Sequence, residues 1–124
     1  MIISAATDIG AFRESNQDAF STGSFISGDA WAVVCDGMGG ANAGNVASEQ
    51  AVNAISAFFK RSYRKGMDAD GVKHMLASAV MSANIEVYDM ARNDASLKGM
   101  GTTVVAAVAS EQYTVVAHVG DSRA

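Results

Sequence analysis

The chain has 124 residues, 49% hydrophobic and 18% charged, with a formal net charge of −4. Residues 1–124 therefore read as a single domain with one core, and the composition excludes the disordered class. The acidic balance, with no basic stripe, argues against nucleic acid and anionic membrane surfaces as partners.

In chain order, residues 1–6 and 17–22 read as short strands, joined by the polar loop "TDIGAFRESN". Residues 30–35 form a compact apolar run suited to a buried strand. From about Asn45 the period changes, and Ala47, Ala51, Ala54, Ile55 and Phe58 share one helical face. The basic "KRSYRK" suits that helix's C-terminus, and Gly66 is a plausible stop. A second helix starts near Asp70, with Asp68 or Asp70 as its cap. Val72, Met75, Leu76, Ala79, Val80, Ala83, Val87 and Met90 hold its apolar face. "TTVVAAVAS" and "YTVVAHVG", joined by "SEQ", read as a hairpin. The order β-β-β-α-α-β-β points to a layered α+β domain.

Cys35 is the only cysteine, so it forms no internal disulfide and reads as small core filler in a reducing compartment. The start, "MIISAATDIG", has neither the basic nor the apolar region of a signal peptide, and no window reaches membrane-spanning length. The expected location is the cytoplasm.

The chemistry concentrates where strands end. In "VVCDGMGGANAG" an apolar run delivers Asp36 into a turn with glycines at 37, 39, 40 and 44. A carboxylate and open carbonyls at one point suit Mg²⁺ or Mn²⁺, and glycine lets the backbone pass close to an ion or phosphate. The alternative is a strand–turn–helix corner in which Asp36 only caps the turn. Spacing excludes a dinucleotide fingerprint, because position 42 is asparagine, and no P-loop lysine exists. Asp18 and Asp121 also sit at ends of β segments, and neighbouring strands would bring all three carboxylates together. Arg13, in the loop before Asp18, has the planar fork that grips phosphate, or pairs with Glu14 or Asp8 on the surface.

"TDIGAFRESNQDAF", "VVCDGMGGANAGNVAS", "GMGTTVVAAV" and "HVGDSRA" together resemble the metal-dependent protein phosphatases of the PPM (PP2C) type, in their bacterial form. The resemblance runs from Thr7 to Ala124. It implies a β-sandwich flanked by antiparallel helix pairs, of which this chain is roughly the first half. It implies a dinuclear Mn²⁺/Mg²⁺ centre whose activated water attacks phosphoserine or phosphothreonine without a phosphoenzyme intermediate. Asp36 resembles the metal-bridging aspartate and Gly37 the glycine that donates a carbonyl. Asp18 looks like the acidic residue of the N-terminal motif, and Arg13 like the substrate-phosphate arginine. Asp121 matches the aspartate that serves an additional metal in bacterial members, and Asp8 a loop-supporting position. Gln17 stands where some relatives have glutamate.

The family's later Ser-Asp-Gly-like turn and closing Asp-Asn motif do not occur here, so the domain is expected to be C-terminally incomplete. Three candidate carboxylates face the charge of two divalent ions, so weak activity or none is expected of this chain alone. The alternative is a non-catalytic remnant that acts as a protein-interaction module. Exposed strand edges would favour a homodimer or a domain swap.

Overall fold

The computed structural model describes residues 2–11, 16–40 and 42–121. Strands β1 (Asp18–Ser24) and β2 (Ala30–Met38) form a hairpin, followed by helices α1 (Ala43–Ser62) and α2 (Ala69–Asn93). A single 3₁₀ turn, Ala95–Leu97, leads into β3 (Gly101–Thr102), β4 (Val104–Ala109) and β5 (Thr114–Val119). All pairings are antiparallel, in the order β1-β2-β4-β5, and β3 pairs with the far end of β2. This is an α+β layer pair: one sheet with a helical hairpin against one face. Among the described residues no helix is long and apolar enough to cross a membrane.

The register explains which residues are buried. Gly23, Trp31, Val108 and Val115 lie in one row across the four strands, and Ser21, Val33, Ala106 and Ala117 in the next. These rows face the helices, and Trp31, Val33, Val108 and Ala106 are buried. From α1 come Ala47, Ala51, Ile55 and Phe59, spaced by four and fully buried. The sequence placed Phe58 on this face. The structure gives the core position to Phe59, while Phe58 is half-buried under the Arg61 guanidinium, 4.7 Å from its ring. On α2 the expected face is the observed one, with Val80 and Met90 only partly covered. The Asp68 side chain caps α2 by accepting from the Gly71 N–H at 2.7 Å. Helix α1 ends at Ser62, ahead of Gly66, whose positive φ of 85° carries the turn into α2.

The other sheet face is open. Its rows contain Phe20, Val34, Val105 and His118, then Thr22, Ala32, Ala107 and Val116. Phe20, Val34 and Val116 are 38–49% exposed there, which makes it the largest apolar surface of the sheet. The sequence led us to expect a first strand over residues 1–6. Residues 2–6 instead run without regular structure, because no neighbouring strand among the described residues offers them a ladder. They lie beside the open face, enclosing a hollow of about 380 Å³ with Asp18, Phe20 and Val34.

Candidate metal and phosphate site

Antiparallel pairing of β1 with β2 puts Asp18 directly opposite Asp36, on the open face at one end of the sheet. Directly opposed residues have Cβ atoms about 5 Å apart, and like charges there repel. Both side chains are exposed. The backbone of Asp36 is not free to relax away. Its N–H donates to Thr103 Oγ1 at 3.1 Å, and its carbonyl accepts from the Thr103 N–H at 2.9 Å. Thr103 is itself buried, so a core residue fixes the strand that presents the carboxylate. On the other strand, the Asp18 N–H donates to Asn16 Oδ1 at 3.0 Å, and Asn16 Nδ2 donates to Thr7 Oγ1 at 2.8 Å. Asp8 accepts from the Gly10 N–H at 2.7 Å, which makes it a loop-supporting residue, as its motif position implied.

At two of these glycines the protein itself comes close. A Cβ on Gly37 would lie 2.0 Å from the Gly44 carbonyl oxygen, and one on Gly44 only 2.5 Å from Gln17 Oε1. Strand β2, the first turn of α1 and the Gln17 side chain thus interlock where two side chains are missing. The Gly37 N–H also donates to the Gln17 carbonyl at 3.0 Å, and Gln17 Nε2 donates to the Gly39 carbonyl at 3.3 Å. Gly39 has φ of +147°, whereas Gly40 has nothing near its Cβ position. The space at Gly40 is open. The N-terminus of α1 is docked against the strand end that carries Asp36, and its first-turn N–H groups favour an anion nearby.

Asp121 follows β5 at the same end of the sheet, but β4 intervenes, and two strand spacings separate β5 from β2 by about 10 Å. Gly120, with φ of +96°, packs its missing Cβ position against the Thr103 methyl, tying that strand end to the support of Asp36. Among the described residues no three His, Cys, Asp or Glu side chains come together as a metal cage. The structure therefore brings Asp18 and Asp36 together and leaves Asp121 apart. Arg13 lies outside the described residues. An exposed pair of carboxylates at a rigid strand end fits one hard divalent ion that keeps most of its waters. Two ions need more anionic ligands than this pair supplies.

Cys35 is core filler, as expected: it is fully buried, and burial pushes its thiol up to about 12, with a Thr102 hydrogen bond acting weakly the other way. Gln17 and Thr103 carry the positioning; the motif comparison singled out Gln17 only for the glutamate it replaces, and Thr103 not at all. Their only signals were a place beside Asp18 and a place in "GMGTTVV".

A family model described as Protein phosphatase 2C matches residues 13–124. The serine/threonine phosphatase stp of Listeria innocua is 39% identical over 119 residues, covering 94% of this chain and 46% of that protein. The crystal structure of serine/threonine phosphatase Stp1 from Staphylococcus aureus superposes with a TM-score of 0.83 at 34% identity, covering 94% of this chain and 45% of that one. The catalytic domain of serine threonine protein phosphatase PstP, in complex with 2 manganese ions, gives 0.75 at 28% identity, covering 95% and 47%. The chain spans about half the length of the curated relatives it matches.

Proposed function

Because the chain belongs to the protein phosphatase 2C family, we propose that it is the N-terminal half of a metal-dependent serine/threonine phosphatase domain and binds Mn²⁺ or Mg²⁺ through Asp18 and Asp36. The observation that carries this reading is the cross-strand opposition of those two exposed carboxylates, an anionic locus at one strand end that suits a divalent cation. The manganese recorded with the PstP catalytic domain supports the choice of metal.

When bound, divalent ions supply an activated water and stabilise charge on the attacking and leaving oxygens. Asp36 and Asp18 would hold a divalent ion as its carboxylate ligands, with the Gly37 carbonyl as a neutral oxygen donor. Gln17 and Thr103 keep that strand end from shifting. Arg13 grips the phosphate of a phosphoserine or phosphothreonine protein, and Asp121 serves an additional ion. Phosphoryl transfer asks little beyond positioning and electrostatics, so no side-chain nucleophile is required. The working compartment is the cytoplasm. The isolated chain is weakly active or inactive, because two carboxylates balance only part of the charge of two divalent ions.

A second reading is a phosphatase-like interaction module, and the exposed apolar sheet face with its unpaired edges favours it. It allows a homodimer or a domain swap.

The deciding experiment is manganese binding, followed by electron paramagnetic resonance of the free ion, with p-nitrophenyl phosphate hydrolysis measured in parallel. Both are run on the chain and on Asp36→Ala, alone and mixed with the C-terminal half of a homologous domain. Binding lost in Asp36→Ala, with turnover appearing on complementation, is the expected result. Binding that survives the substitution overturns the metal assignment. Turnover absent even from the complemented mixture leaves the interaction module as the better reading.

A further inference from the structure

Strand β1 is an edge of the sheet, and register fixes which of its backbone groups are unpaired. Gln17 accepts from Gly37, so alternate residues of β1 face β2, and Asp18, Phe20, Thr22 and Ser24 face outward. The Asp18 N–H is taken by Asn16. Among the described residues nothing pairs with the outward backbone groups of Phe20, Thr22 and Ser24, so they form a template for one more strand.

Beside this edge runs a groove of about 590 Å³ between β1 and the C-terminal end of α1. Gly23 and Trp31 form its floor: the indole fills the space a Cβ on Gly23 would take, at 2.6 Å. Lys60, Tyr63 and Lys65 form the opposite wall. The Lys60 ammonium stands 5.8 Å from the centre of the indole. The other two cations of the basic run are committed elsewhere: Arg61 covers Phe58, and Arg64 donates to the Arg61 and Tyr63 carbonyls at 3.0 Å. Lys60 and Lys65 are exposed and pair with no carboxylate among the described residues. Asp29 accepts from the hydroxyls of Tyr63 and Ser27, both of which line the groove. On a chain of net charge −4, two lysines with no ion-pair partner among the described residues thus stand across the groove from an edge strand.

We propose that the β1 edge and this groove dock an extended acidic segment of a partner protein, which adds a strand to β1 and sets carboxylates against Lys60 and Lys65. Main-chain pairing supplies affinity and the lysines supply specificity. One consequence rests on the phosphatase reading. From Ser24 to Asp18 the strand spans about 20 Å, so a docked substrate would carry acidic residues about six positions from the phosphorylated one.

The test needs no metal and no turnover. A fluorescent peptide of about ten residues, alternating threonine and glutamate, is titrated into the chain and followed by anisotropy. The Lys60→Glu/Lys65→Glu variant is compared with it, along with a peptide in which lysine replaces glutamate. Amide hydrogen exchange is read at Phe20, Thr22 and Ser24. The expected result is about tenfold weaker binding of the acidic peptide to the variant, and recovery with the lysine peptide. Slower exchange at those three amides should accompany binding. Equal affinity of both peptides for the unaltered chain overturns the proposal. So does binding without protection of the three amides, or protection that rises with protein concentration alone, which would identify a second copy of the chain as the occupant. Loss of manganese binding in Asp36→Ala with docking intact would separate this proposal from the metal site.

Discussion

The two ends of the sheet treat carboxylates in opposite ways. At the far end Asp29 accepts from the Tyr63 and Ser27 hydroxyls, under a Phe25–Tyr63 ring stack with centroids 3.8 Å apart. The Tyr113 hydroxyl closes the same corner by donating to the Met67 carbonyl at 2.8 Å. At the near end Asp18 and Asp36 are exposed and face each other, and the local hydrogen bonds secure their backbones. A carboxylate supplied with hydroxyl donors is a structural part. A carboxylate set opposite another at an exposed strand end is a locus of negative charge, and such a locus suits a cation. Residue type alone does not distinguish these fates, but the donors around it do.

The largest expected break in this contrast comes from Asp36→Asn. It removes the like-charge opposition, so the metal-free fold should gain stability slightly while manganese affinity falls by about a hundredfold or more. Urea unfolding beside a manganese titration checks both signs, and a loss of stability would mean that Asp36 is a structural residue like Asp29. Next in size is Gly37→Ala, whose methyl collides with the Gly44 carbonyl. Backbone must move, and a cost of about 2–3 kcal/mol in urea unfolding is expected. A change under about 0.5 kcal/mol would remove the interlock from the account.

At the far end, Tyr63→Phe strips a donor from Asp29 and should cost about 1–2 kcal/mol, with manganese binding unchanged. Gln17→Ala should cost about 1 kcal/mol alone but offset part of the cost of Gly44→Ala, since it clears the space the new methyl needs. A double-mutant cycle with no coupling would show that the two residues do not share that space.

The smallest effect is alkaline. Burial raises the thiol of Cys35 to about 12, and burial with the Asp29 and Tyr113 contacts raises Tyr63 further. Both groups ionise more easily in the unfolded chain, with ordinary values of about 8.5 and 10. Their contribution is thus complete below about pH 8.5 and declines as pH rises toward 12, because the unfolded state binds fewer protons there. Melting temperature against pH should fall over that window, and Cys35→Ala should flatten its lower part.

Much of this was legible in the sequence. The 3–4 spacing of α2, the β-branched hairpin and the aspartates at strand ends were all visible as local pattern. What was not legible was pairing. That Asp18 meets Asp36 depends on a register fixed by the buried Trp31 and Val33 rows, and spacing along the chain says nothing of it. The first strand failed for the same reason, since an alternating stretch becomes a strand only beside a partner. Phe58 and Phe59 fit the helical stripe almost equally, and the sheet chose between them. The packing roles of Gln17 and Thr103 were invisible because they depend on contacts with residues distant in sequence.

The clasp between Asp36 and Thr103 joins residues 67 positions apart, with both helices between them. The Asp18–Asp36 hairpin closes over a short loop and can form as soon as its residues leave the ribosome. Its clasp cannot, because residue 103 must first be made and the helical hairpin must fold to shorten the gap. The carboxylates are therefore placed early and locked late. The rigidity of the charged pair is thus a property of the whole layer, since the hairpin alone has no means to supply it.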